Sequence, residues 1–157
     1  MPTQEDYILH MIAQLRQAIS QVLNYRESRR FDDALLVAFD AQEKLFGRTT
    51  AELSKLSLDE LLGLLRLDET RKAGTEKVLG YAALLRETGF VYEAMDQRPM
   101  AERCFQLALQ VMLSVAVEEA PRDEGLWTEM RGLLARISAD RLQPPVRALL
   151  ERAGEIP

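Results

Sequence analysis

An apolar stripe near the N-terminus is the feature that most constrains what this chain can fold into. After Thr3, whose hydroxyl can accept a hydrogen bond from an unpaired amide of a helix start, apolar residues recur at spacings of four and three. This spacing places them on one helix face and excludes a half-buried strand, whose side chains alternate with period two. The stripe predicts an amphipathic helix running to about Ser28. Its members are Ile8, Ile12, Leu15, Ile19 and Val22.

The composition extends this expectation to the whole chain of 157 residues. Leu and Ala together account for 44 residues, whereas Val and Ile account for 13. Leu and Ala favour helices, while β-branched side chains lose rotamer freedom there. We expect an all-α fold of seven or eight helices arranged as antiparallel hairpins in one domain. Its units are an N-terminal helix hairpin at 1–47, short helices and a loop at 48–74, a second hairpin at 75–120, and C-terminal capping helices at 121–157.

Local capping signals place several helix ends. Gly47 predicts a left-handed helix stop, and Ser57 with Glu60 forms a capping box at the start of a short helix. The polar segment 66–74 ends in Gly and predicts a mobile loop. Thr75 then predicts the cap of a long fifth helix.

One window carries the spacing Gly-x2-Tyr followed by Ala-x3-Phe-x2-Ala. The residues at these offsets are Gly89, Tyr92, Ala101, Phe105 and Ala108. This window, residues 78–113, resembles a tetratricopeptide repeat. The resemblance implies a right-handed superhelical arrangement of helix pairs, with the small residues at the closest helix approach and the rings between pairs.

A fainter copy of the pattern lies near the N-terminus, at Tyr25, Ala34, Ala38 and Ala41. One good and one degenerate unit are fewer than the roughly three that a repeat array needs for stability. We therefore expect other helices of the chain, or a second subunit, to complete the core.

The N-terminal segment from Asp6 to Ile12, together with the repeat-like hairpin, also resembles a group of small bacterial all-helical proteins of unassigned function. The resemblance implies a bacterial source and the same helical fold. It supplies no activity.

Two surfaces are candidates for binding. In tetratricopeptide domains the first helices line a groove for peptides, so the resemblance implies a partner groove at Ala83, Arg86, Phe90 and Glu93; alternatively, these residues pack on neighbouring helices. The stripe from Ile8 to Val22 exceeds what a small bundle obviously needs, which predicts self-association as a two-fold homodimer.

The titratable residues point away from catalysis. The chain has one His and one Cys, too few for a zinc site or a nucleophile with its base, so we expect no metal, no cofactor and no enzymatic activity. The favoured function is a protein–protein interaction or scaffold module that binds a protein or peptide. The alternative is a small-ligand sensor or an enzyme that uses carboxylate and Arg residues.

Charge and hydropathy exclude other partners. The net charge of −5 provides no basic footprint for nucleic acid. The most apolar run, Leu107–Val117, has 11 residues, about half of what a bilayer requires. Two acids precede the first apolar residues, unlike a secretory signal. We therefore expect no membrane partner and a cytoplasmic location.

Overall fold

Helices form nearly all of the regular structure in this computed structural model, which describes residues 3–66, 70–118 and 122–155. Those residues contain eight α-helices, one 3₁₀ turn and no strand, so the all-α prediction is confirmed. The helices are α1 (Gln4–Glu27), α2 (Phe31–Phe46), α3 (Thr50–Leu53), α4 (Leu58–Arg66), α5 (Arg71–Ala94), α6 (Arg98–Ala116), α7 (Glu124–Leu134) and α8 (Pro144–Arg152), with the 3₁₀ turn at Ala139–Arg141 before α8.

The predicted caps at Thr3, Gly47 and Ser57 are confirmed. The Thr3 hydroxyl accepts a 3.1 Å hydrogen bond from the amide of Asp6, whose carboxylate accepts one from the Thr3 amide. Gly47 ends α2 with a φ of 66°, a conformation that costs glycine little. At the start of α4, Ser57 and Glu60 exchange backbone-to-side-chain hydrogen bonds of 3.1 and 3.3 Å.

The predicted loop at 66–74 is wrong over its second half, and Thr75 is not a cap. The hydroxyl of Thr70 accepts a hydrogen bond from Ala73, and α5 begins at Arg71. Residues 67–69 lie outside the described residues. Glycine costs only about 1 kcal/mol inside a helix, so Gly74 does not prevent α5 from starting before it. The second hairpin therefore starts before residue 75.

Helices α5 and α6 form the centre of the fold. They pack against each other as a hairpin; α1, α2 and α4 pack on α5, while α7 and α8 pack on α6. A Cβ on Gly89 would lie 2.5 Å from the ring of Phe105, so these helices approach closely where the glycine stands. Tyr92, Ala101 and Ala108 are buried in the same hairpin.

The stripe on α1 serves the chain's own core. Ile8, Ile12, Leu15 and Val22 are buried, and Ile19 is half-buried. The prediction that this stripe self-associates is wrong, because α1 packs against both α2 and α5 and uses its apolar face there.

The apolar run Leu107–Val117 also packs within the chain, since α6 contacts α5, α7 and α8. Among the described residues, no helix combines the length and apolarity that crossing a membrane requires.

Candidate interaction surface

The four residues predicted to face a partner lie on one strip of α5. Ala83, Arg86, Phe90 and Glu93 follow each other at intervals of three, four and three residues, which keeps them on one helix face. Glu93 is exposed and the other three are half-buried. Helix α7 lies beside this strip, so the surface is a seam between α5 and α7. We call it the α5–α7 seam.

Two ion pairs show how α5 and α7 are aligned. Arg86 pairs with Glu129 at 3.4 Å, and Glu93 pairs with Arg136 just beyond the end of α7. Both pairs join residues that are 43 positions apart. The equal offset means that the two segments run in the same direction, with opposite charges facing each other at a spacing of seven residues.

A cavity of about 410 Å³ opens at the end of the seam that contains Ala83. Its size is at the lower end of the range for ligand pockets. Arg86, Asp123 and Glu129 are its charged lining residues, and Ala83 contributes only a methyl group to the wall. The apolar lining comes from Leu79, Ala82, Met112 and Leu126.

Arg86 is held loosely. Its guanidinium approaches Glu129 at 3.4 Å and Glu87 at 3.7 Å, and a quarter of its side chain remains in contact with water. Exposed ion pairs of this kind contribute only about 0–1 kcal/mol. The Arg86–Glu129 pair therefore contributes little to the stability of the fold.

Phe90 packs on residues of its own chain, the alternative that the sequence left open for this position. Its ring packs edge-on against Phe105, with centroids 5.3 Å apart. The guanidinium groups of Arg26 and Arg136 lie over the same ring at 5.1 and 4.7 Å. Contacts between a cation and a ring stabilise by about 0.5–2 kcal/mol each. Phe90 thus joins α1, α5 and α6 and the segment after α7.

A second cavity of about 300 Å³ lies at the other end of the seam, beside Glu93. Arg98, Arg136 and Asp96 line it, so its wall carries both signs of charge. Glu102, another lining residue, is already bound to Arg141 at 2.9 Å. The seam therefore combines a cavity of mixed apolar and charged lining with a more polar one, and Phe90 lies between them on α5.

The sequence did not indicate three residues that contact the strip on α5: Arg26, Glu129 and Arg136. None lies near α5 in sequence, and only the tertiary packing brings them to it. A signal was present, because Arg86 and Glu93 repeat as Glu129 and Arg136 with the same spacing and reversed charges.

The cysteine, tyrosine and histidine side chains that could serve as a nucleophile or a base do not line the cavities of the seam. Burial raises the pKa of the Cys104 thiol to about 11 and that of Tyr81 to about 12, so both stay protonated at neutral pH. His10 is exposed on α1. Within the three described ranges, no group of three or more His, Cys, Asp or Glu side chains is placed to hold a metal ion.

The function of this chain has to be argued from its own residues. No family model, curated protein or solved structure matches it.

Proposed function

We propose that this chain is a non-catalytic interaction module that holds an extended segment of a partner protein along the α5–α7 seam. The observation that carries the proposal is the pairing of two cavities on one strip of α5, one that joins apolar side chains to charged ones and one lined mainly by charges. The resemblance of α5 and α6 to a tetratricopeptide hairpin supports the same use, since the first helix of such a hairpin faces the groove.

The dimensions of the seam suit a short extended segment. Ala83 and Glu93 are ten residues apart on α5, which corresponds to about 15 Å at 1.5 Å per residue. An extended chain covers this distance in about four or five residues. The partner segment should therefore carry an apolar side chain for the cavity at Ala83 and a polar or charged one about four residues away.

Arg86 supplies the polar anchor of the proposed mode. A carboxylate on the partner would pair with Arg86 in place of Glu129, whose side chain is more than half exposed and would turn towards water. Because most of Phe90 is engaged within the chain, the affinity depends on the cavity at Ala83 rather than on ring stacking.

A selection from a library of labelled random peptides tests this function. We expect enriched peptides to combine an apolar residue with an acidic one, and their affinity to fall at least tenfold in Ala83→Arg, whose long side chain fills the cavity. The matched control is Ala148→Arg, on the exposed part of α8, which should bind as the wild type does. A library that yields no binder, or binders indifferent to Ala83→Arg, would refute the proposal.

A small-molecule sensor is the second candidate, favoured by the size of the cavity at Ala83. A lining of apolar side chains with Arg86, Asp123 and Glu129 suits a small ligand that carries one charged group. Thermal-shift screening of a metabolite library against wild type and Ala83→Arg separates the two functions. A ligand that stabilises only the wild type, with no peptide selected, would favour the sensor.

A further inference from the structure

A groove between α1 and α2 is a second surface, and the residues that line it all belong to these two helices. It encloses about 440 Å³. Ala18 and Ala41, whose side chains are single methyl groups, are among its lining residues. The wall on α1 is a row of one tyrosine, one histidine and three glutamine side chains spaced by three or four residues: Tyr7, His10, Gln14, Gln17 and Gln21.

The row on α1 belongs to a segment that is unusually poor in charge. From Tyr7 to Tyr25, Arg16 is the only Lys, Arg, Asp or Glu, whereas such residues make up 29% of the whole chain. Helix α2 contributes Asp40 and Lys44 to the groove, and these pair with each other at 2.9 Å. Depletion of charge is the compositional mark of the centre of a protein interface.

One aromatic side chain of the groove is left largely in water by the fold. Tyr7, which lines the groove, is 60% exposed. Burial of its apolar surface against a partner would be favourable at about 25 cal/mol per Å².

The chemistry of the groove fits a second copy of the same chain. A two-fold interface brings one patch against itself, so its groups must be self-complementary. A glutamine amide both donates and accepts hydrogen bonds and can therefore pair with another glutamine. Asp40 and Lys44 offer one charge of each sign, which lets them pair across a two-fold axis. Two molecules of net charge −5 repel each other in general, and this near-neutral surface is where they can meet.

We propose that the chain forms a two-fold homodimer through the α1–α2 groove, with the glutamine row of each copy facing that of the other. The groove, rather than the buried apolar stripe of α1 as a whole, is the self-association surface. This interface is separate from the α5–α7 seam, so either proposal can fail without the other.

Sedimentation velocity from about 5 to 500 μM tests the dimer. We expect the wild type to become dimeric within this range, and the double variant Gln14→Glu, Gln17→Glu to remain monomeric because it places like charges against each other. The lysine counterpart, Gln14→Lys with Gln17→Lys, should also be monomeric alone. Mixing the glutamate and lysine variants should restore a dimer, whatever the register of the two helices.

A matched control adds two negative charges elsewhere, as Gly132→Glu with Ala148→Glu; both positions are exposed, and no atom lies near the site of a Cβ on Gly132. It should dimerise as the wild type does, and circular dichroism should show all variants folded. The proposal is overturned if the wild type stays monomeric at 500 μM, whether or not the groove binds another polypeptide. It is equally overturned if the glutamate variant dimerises like the wild type, or if the mixture does not associate.

Discussion

Gly89 of α5 lies against the ring of Phe105 of α6, so closely that a Cβ on residue 89 would stand 2.5 Å from Cε1 of that ring. Phe105 is fully buried and cannot rotate away without displacing its neighbours. This contact sets the distance between the two central helices. It also explains why a helix interior tolerates a glycine that weakens it by about 1 kcal/mol.

Gly89→Ala should destabilise the protein by about 1–3 kcal/mol, since overpacking outweighs the gain in helix propensity. Urea unfolding measures the change. Gly132→Ala is the matched control, because it lies within α7 with nothing near its missing Cβ. It should stabilise the protein by about 0.5–1 kcal/mol. Equal stabilisation by both substitutions would mean that the two helices are not held together at Gly89.

Gln106 secures the segment that leads into α8. Its side chain donates a 2.7 Å hydrogen bond to the carbonyl of Arg141 and accepts one of 3.0 Å from the amide of Gln143. Gln106→Met keeps the volume but leaves both backbone groups without partners, which should cost about 1–3 kcal/mol. Hydrogen exchange at Gln143 should accelerate more than exchange at Leu109, in the core of α6. Unchanged exchange at Gln143 would contradict the role assigned to Gln106.

The ionisation of Glu155 makes the free energy of unfolding depend on pH. Hydrogen bonds from Arg131 and Arg122 hold the pKa of this carboxyl below its ordinary value of 4.5. Because the pKa is lower in the folded state, the stabilisation is complete above pH 4.5 and disappears as the pH falls through the folded-state value.

Glu155→Gln should therefore unfold at a lower urea concentration than the wild type at pH 7, with a difference that shrinks towards pH 3. Glu151→Gln, an exposed position on α8, is the control and should show no such trend. A constant difference between wild type and Glu155→Gln across this range would contradict the pairing.

Cys104 should be unreactive in the folded protein. Raising the pKa of the thiol from 9.0 to about 11 lowers its thiolate fraction at pH 8 about a hundredfold, and the thiolate is the reactive form. Iodoacetamide should modify the native chain at least a hundred times more slowly than the urea-unfolded chain. Comparable rates would show that Cys104 is open to solvent.

The sequence predicts local structure well and the surfaces poorly. Thr3, Gly47 and Ser57 act on their own helix ends, so their roles follow from residues three or four positions away. The use of the α1 stripe could not be predicted in this way. Ile8 to Val22 show that one face is buried, but whether a second copy or the chain's own α2 and α5 buries it depends on tertiary packing.

The same limit applies to the α5–α7 seam. Helical spacing places Ala83, Arg86, Phe90 and Glu93 on one strip, and the structure has them there. Helical spacing does not reveal that Arg26 and Arg136 lie over the ring of Phe90, because Arg26 is on α1 and Arg136 follows α7, both far from Phe90 in sequence. The start of α5 at Arg71 was not predictable for a local reason, since a glycine such as Gly74 within a polar run is compatible with either a loop or a helix start.

Mapping a bound peptide onto the chain tests the central claim most directly. Amide NMR spectra should be recorded while the tightest peptide from the library selection is added to the wild type. We predict the largest shifts at Ala83, Arg86 and Glu93 of α5 and at Glu129 of α7, with little change in α8. Shifts concentrated outside the α5–α7 seam, or no saturable shifts at all, would contradict the account.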